Sequence, residues 1–128
     1  MDTALSPLSA LPPYDGDWLL DASAYRANLF DGARLDELVL SNGLLSRTFR
    51  LAPNAATVGL DSGITGASML RGVKPEARIQ IDGTSYDIGG LIGQEEYAYL
   101  RREWIDSLAC DPAAFQYTHY EHGPTQAP

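Results

Sequence analysis

One cysteine, two histidines and no long apolar run set the first limits on this 128-residue chain. Cys110 stands alone, so it can neither close an intramolecular disulfide nor build a cysteine zinc site, and its ordinary role is that of a small apolar residue. His119 and His122 have no third histidine to join them. On a strand His119 and Glu121 share a face that His122 does not, so no metal site is expected. No stretch approaches the roughly eighteen apolar residues of a transmembrane helix, and no membrane partner is expected. Residues 1–13 lack both a basic start and a continuous apolar segment, and as they stand they do not read as a secretory signal. No compartment follows from the sequence.

Positive charge is also scarce. Nine Lys and Arg against seventeen Asp and Glu leave a formal net charge of −8. Without a basic run there is nothing to displace counterions from phosphate, which excludes nucleic acid as the expected partner and disfavours anionic lipid. A neutral partner such as a sugar, or another protein, fits better. Hydrophobic residues at 45% and charged residues at 20% are ordinary for a globular chain. The length suits one domain with its own core.

The clearest local signal is the stretch Glu76 to Gly90. Ala77, Ile79 and Ile81 alternate with Arg78, Gln80 and Asp82, and a second alternating run follows. Asp82-Gly83 between the runs predicts a hairpin through a type I′ turn, whose two central residues both need positive φ. That turn pairs Ile81 with Thr84, Ile79 with Tyr86 and Ala77 with Ile88, and puts the last two pairs on an inner face.

Other strand signals recur about every ten residues: Tyr25 to Leu29, Leu38 to Leu40, Leu44 to Leu51, and Ala56, Val58 and Leu60 on one alternating run. Leu45, Phe49 and Leu51 share a face that Arg47 interrupts, which calls for a sheet edge or a carboxylate partner. From Gln94 the spacing of Tyr97, Leu100, Trp104 and Leu108 fits a helix, although the Tyr-Ala-Tyr-Leu run alone also fits a strand. Phe115, Tyr117 and His119 then predict a last, aromatic-rich strand leading out of the domain. The pattern predicts a mainly β chain, an antiparallel β-sandwich with at most one short helix. Residues 1–16 read as a flexible lead-in, 17–121 as the β-sandwich domain and 122–128 as a flexible tail.

Candidate chemistry is thin. Glu95 and Glu96 are adjacent, so on either a helix or a strand they cannot flank one bond together. Asp82 is needed by its turn, and Glu76 and Asp87 read as outward-facing, so no acid/base pair stands out. Gly89, Gly90 and Gly93 lack the Lys and Ser/Thr of a phosphate loop. Asp61-Ser62-Gly63 is one loop carboxylate and reads as a turn rather than a calcium ligand. No catalytic residue and no cofactor is expected. The aromatics offer more. Flat rings stack on the C–H faces of pyranoses, and Tyr99 and Tyr120 lie off the core phase, so they, with Trp104, are the candidate sugar platform. For Tyr97, Trp104 and Tyr117 the spacing favours core packing.

The run LSNGLLSRTFRLAPNAATVGL, followed by TGASMLRGVKPEARIQIDGTSYDIGGLIGQEEYAYL, resembles the N-terminal β-domain of bacterial glycoside hydrolases related to melibiase-type alpha-galactosidases. The likeness rests on Asn42 to Phe49, on Thr65-Gly66, on Lys74 to Ala77 and on Gly89-Gly90, and it covers about Asp17 to Tyr120. It implies a β-supersandwich domain preceding a catalytic (β/α)₈ barrel that carries the catalytic aspartates. The expected function is then a non-catalytic domain of a carbohydrate-active enzyme that assists substrate positioning or interdomain packing. Its partner would be carbohydrate or a separate catalytic domain. An independent sugar-binding module, and a structural or interaction domain with self-association, are the alternatives.

Overall fold

The computed structural model describes residues 4–11, 13–95 and 99–128. Among them the chain is mainly β, with seven strands and two short 3-10 helices. Strands β1 (Ser6–Pro7), β2 (Asn28–Asp31), β3 (Glu37–Ser41), β4 (Leu45–Arg50) and β5 (Ala56–Ser62) form one sheet in that order. Strands β6 (Ala77–Ile81) and β7 (Thr84–Ile88) form a second sheet of two. All pairings are antiparallel except β1 with β2. Ser6–Pro7, within the segment expected as a flexible lead-in, therefore forms an edge strand.

The β3–β4 turn is built by side chains. Asn42 Oδ1 accepts from the N–H groups of Leu44 and Leu45, both at 3.0 Å, the local bonding that suits Asn to turns. The resulting register sets Leu38 against Phe49 and Leu40 against both Leu29 and Arg47. Those residues line one face of the sheet. Phe30, Val39, Glu37 and Arg50 line the other.

A bulge on β5 corrects one expected face. Thr48 pairs with Gly59 and Phe49 with Thr57, leaving Val58 as the extra residue. The shift moves Leu60 opposite Arg47, away from Ala56 and Val58, with which simple alternation had grouped it. Ala56 and Val58 stay in the core and pack with Val73, Leu91, Ile105 and Leu108. The cover on that face is made of loops and the 3-10 helix Arg102–Ser107.

The β6–β7 hairpin has the predicted register, Ile81 with Thr84, Ile79 with Tyr86 and Ala77 with Ile88. Asp82 at φ 49° and Gly83 at φ 82° supply the two positive angles of the turn. Its place in the fold differs from the expectation of a buried inner face. Ala77 and Ile81 are exposed and Ile79 is only half-buried. The hairpin is fastened at its base, where Glu76 N–H donates to Ile88 O and Gly90 N–H to Ala55 O, both at 2.8 Å. Gly90 sits at φ 82°, and a Cβ there would lie 2.7 Å from backbone atoms of Pro75. The Gly89-Gly90 pair thus serves close backbone passage.

Two further expectations are corrected. Gln94 Oε1 accepts from Val73 N–H and Leu100 N–H donates to Arg71 O, which ties residues on either side of 96–98 to the 71–73 segment in place of a long helix. Among the described residues of this stretch Arg102–Ser107 forms a 3-10 helix, while Glu96 and Tyr97 lie outside the described residues. The strand expected at 115–120 is also absent. Phe115 makes an isolated bridge to Ile88, and beyond it the side chain of Asn54 takes the place of a neighbouring strand.

Candidate functional site

The leucine-rich face of β2, β3 and β4 is an apolar surface left partly open. Leu29, Leu38, Leu40, Phe49 and Leu51 form the floor of a groove of about 390 Å³. Its other wall is the C-terminal strap Tyr117 to His122. Leu40, at the centre of this face, is 42% exposed. An alternating strand presents such a face to something, and among the described residues an irregular strap lies against it.

The strap is rooted in Asn54, which is 1% exposed. Asn54 Oδ1 accepts from Tyr117 N–H at 2.7 Å and from Ala55 N–H at 3.0 Å, while its Nδ2 donates to Phe115 O at 3.0 Å. One buried amide thus satisfies backbone groups that a strand would otherwise pair. Beyond Tyr117 the described residues show no backbone hydrogen bond holding the strap. Tyr120 and His122 rings lie 6.4 Å apart, and His119 Nε2 is 3.7 Å from Glu121 Oε1, too long for a hydrogen bond. Burial pushes the Tyr117 hydroxyl above its ordinary range, and the neighbouring Tyr120 phenol adds to the shift.

The three candidate platform residues have different immediate neighbours. Tyr120 lies at the leucine groove. Tyr99 is 73% exposed, with the Arg71 guanidinium 5.4 Å from its ring centre. Trp104 stands 5.3 Å from Arg101 and lines a separate cavity of about 110 Å³ with Gln94 and Glu95. Among the described residues no ring contact joins any two of them.

The sequence reading of Glu76 as outward-facing is corrected. Its Oε1 accepts from Thr57 N–H at 2.5 Å, and its Oε2 accepts from Thr57 Oγ1 at 2.9 Å and from Arg47. Arg47 thereby finds the carboxylate its position called for. Both carboxylate oxygens are engaged in fixing the hairpin base to β4 and β5, which suits a structural anchor rather than proton transfer. Asp87 is half-buried and bonded to Arg78 Nε at 2.7 Å within the hairpin.

A second anchor lies on the opposite sheet face. Arg50 is 6% exposed and joins Glu37 at 2.7 Å to Asp106 at 2.5 Å, while Arg34 meets the same Asp106 carboxylate at 3.1 Å. Burial opposes the Arg50 charge, yet the bonds and charges of Glu37 and Asp106 outweigh it and hold its pKa above the ordinary value. Arg50 and Asn54 were both missed by sequence reasoning. The first sits at an apparent solvent position of an alternating run, and the second follows a proline and reads as a turn. A β3–β4 register centred between Gly43 and Leu44 would have placed Glu37 opposite Arg50.

No group of three or more candidate metal-binding side chains occurs among the described residues. No family model matches the chain, and no curated protein or solved structure is similar to it at a significant level.

Proposed function

We propose that this chain is a non-catalytic β domain of a carbohydrate-active enzyme, and that its leucine-rich sheet face packs against a further apolar β layer or domain. The observation that carries this reading is the open face itself: Leu29, Leu38, Leu40, Phe49 and Leu51 in one patch, with Leu40 nearly half exposed beneath an irregular strap. A contiguous apolar patch of this kind marks an interaction surface more often than a monomer's free exterior. The partner's chemistry follows from the floor: aliphatic side chains on a flat or strand-built surface. The sequence resemblance to glycoside hydrolase N-terminal domains supports the enzyme setting. Tyr99, Trp104 and Tyr120 make no ring contact with one another among the described residues, which favours packing over a sugar platform built from those three.

The test is the binding of an environment-sensitive apolar dye to the folded chain, together with its state of association at micromolar concentration. Dye binding or self-association that Leu40→Lys reduces, with no loss of unfolding midpoint, is the expected result. A wild-type chain that is monomeric and binds no dye would overturn the proposal.

A further inference from the structure

A second cavity, on the other side of β2 from the leucine groove, has quite different chemistry. It is a partly open cleft of about 350 Å³ between the N-terminal segment, β2 and the Asn42-Gly43 turn; Asp15, Tyr25, Arg26, Asn28, Phe30 and Asn42 are among its lining residues, with Asp15, Arg26 and Asn28 exposed. Asn28 and Phe30 alternate with Leu29 on β2, which puts the two cavities on opposite faces of the strand. The Tyr25 hydroxyl donates to Asp15 O at 2.6 Å, so the ring is fixed to the segment that closes the cavity.

The polar side chains here retain bonding capacity that no protein group takes up. Among the described residues the Asp15 carboxylate and the Arg26 guanidinium have neither a hydrogen bond nor an ion pair. Asn28 commits only its Nδ2, to Arg26 O at 3.2 Å, and keeps its Oδ1 open. Asn42 commits its Oδ1 to the Leu44 and Leu45 amides and keeps its Nδ2 open. The cavity is therefore lined by residues with two acceptor groups and two donor groups to spare, beside the rings of Tyr25 and Phe30. Residues bonded to one another would make a structural junction, as Glu76 and Arg47 do. These are not.

We propose that Asp15, Arg26, Asn28 and Asn42, with Tyr25 as the apolar wall, form a binding site for a single neutral pyranose unit. Sugar hydroxyls both donate and accept, which uses carboxylate and amide oxygens together with guanidinium and amide N–H groups. The C–H face of the ring matches an aromatic wall. A volume of about 350 Å³ lies at the small end of ligand cavities, suited to one ring rather than a chain. The net charge of −8 disfavours an anionic ligand and leaves a neutral one unopposed. The site is read from its own side chains and does not depend on the packing role of the leucine face.

The experiment is an amide NMR titration of the full chain with the methyl glycosides of galactose, glucose and mannose, and with glycine as a zwitterionic control. At least one glycoside should give saturable shifts centred on Asn28, Asn42 and Gly43, with a dissociation constant on the order of 1 mM. Asp15→Asn and Arg26→Gln should each weaken that binding about tenfold or more, and neither removes an internal bond of the fold. Leu40→Lys, on the opposite face, should leave it unchanged, so this result and the packing test fail independently. Silence across the three glycosides, shifts indifferent to both variants, or a response to glycine alone would overturn the assignment.

Discussion

The guanidinium of Arg50 meets the carboxylate of Asp106 at 2.5 Å across 56 residues of sequence. This contact ties the 3-10 helix Arg102–Ser107 to the sheet, and with it the cover that brings Ile105 onto Ala56 and Val58. The two acidic partners of Arg50 are not equivalent. Glu37 is almost as buried as Arg50, whereas the Asp106 side chain is 58% exposed. Glu37→Gln leaves a buried guanidinium with only a water-screened counter-charge and should cost about 2 kcal/mol. Asp106→Asn should cost about 1 kcal/mol or less, because an exposed partner is screened. Urea unfolding of the two variants checks the order, and a larger loss for Asp106→Asn would show that the helix tether matters more than the buried charge. The Arg50 Nε is itself buried without a partner among the described residues, so the network is not fully satisfied even in the native chain.

Asn54 is the hinge between core and strap. Replacing it by Ala strands the Tyr117 and Ala55 N–H groups, while Phe115 O keeps its bond from Gly89 N–H at 3.2 Å. Two orphaned amides near the surface of the core should cost about 2–3 kcal/mol. The same change should loosen the strap and raise amide exchange at residues 117–122 while dye binding at the leucine face increases. Equal protection in the two proteins would mean that the strap is held by its side chains alone.

Tyr117 makes the strap sensitive to alkaline pH. Its hydroxyl is held above the ordinary tyrosine value of 10.0, chiefly by burial and further by Tyr120. The folded-state value is the higher one, so the stabilisation is fully present below about pH 10 and is lost as pH rises through the raised value. In an absorbance titration of tyrosinate, Tyr117→Phe should remove a late-ionising component, and Tyr120→Phe should let Tyr117 ionise earlier. A titration in which Tyr117→Phe removes only an ordinary component would contradict this picture.

Local chemistry was legible in the sequence wherever neighbours in the chain decide the outcome. The Asp82-Gly83 turn and its register are set by two φ angles and a period of two. The mainly β character, the β3 to β5 strands and the carboxylate partner of Arg47 could be read in the same way. Reading failed where a distant group changes the local rule. The bulge at Val58 re-aimed Leu60, and Asn54 replaced a strand at Phe115 to Tyr117. The proposed sugar cavity was not visible either, since Asp15, Arg26 and Asn42 are polar residues of ordinary loop character until β2 and the turn bring them together.

By itself, then, the sequence determined that the chain is β-rich, acidic, and without a second cysteine for an internal disulfide or a third histidine for a histidine-built metal site. It also determined the shape of the hairpin, because a turn's geometry depends on the residues within it. Tertiary structure alone decided that this hairpin stands at the surface and that the leucine face of β2 to β4 is the more open one. It also decided that Arg50 and Asn54 are buried. The physical reason is that periodicity tells which residues share a face, but what covers that face depends on segments far away in the chain.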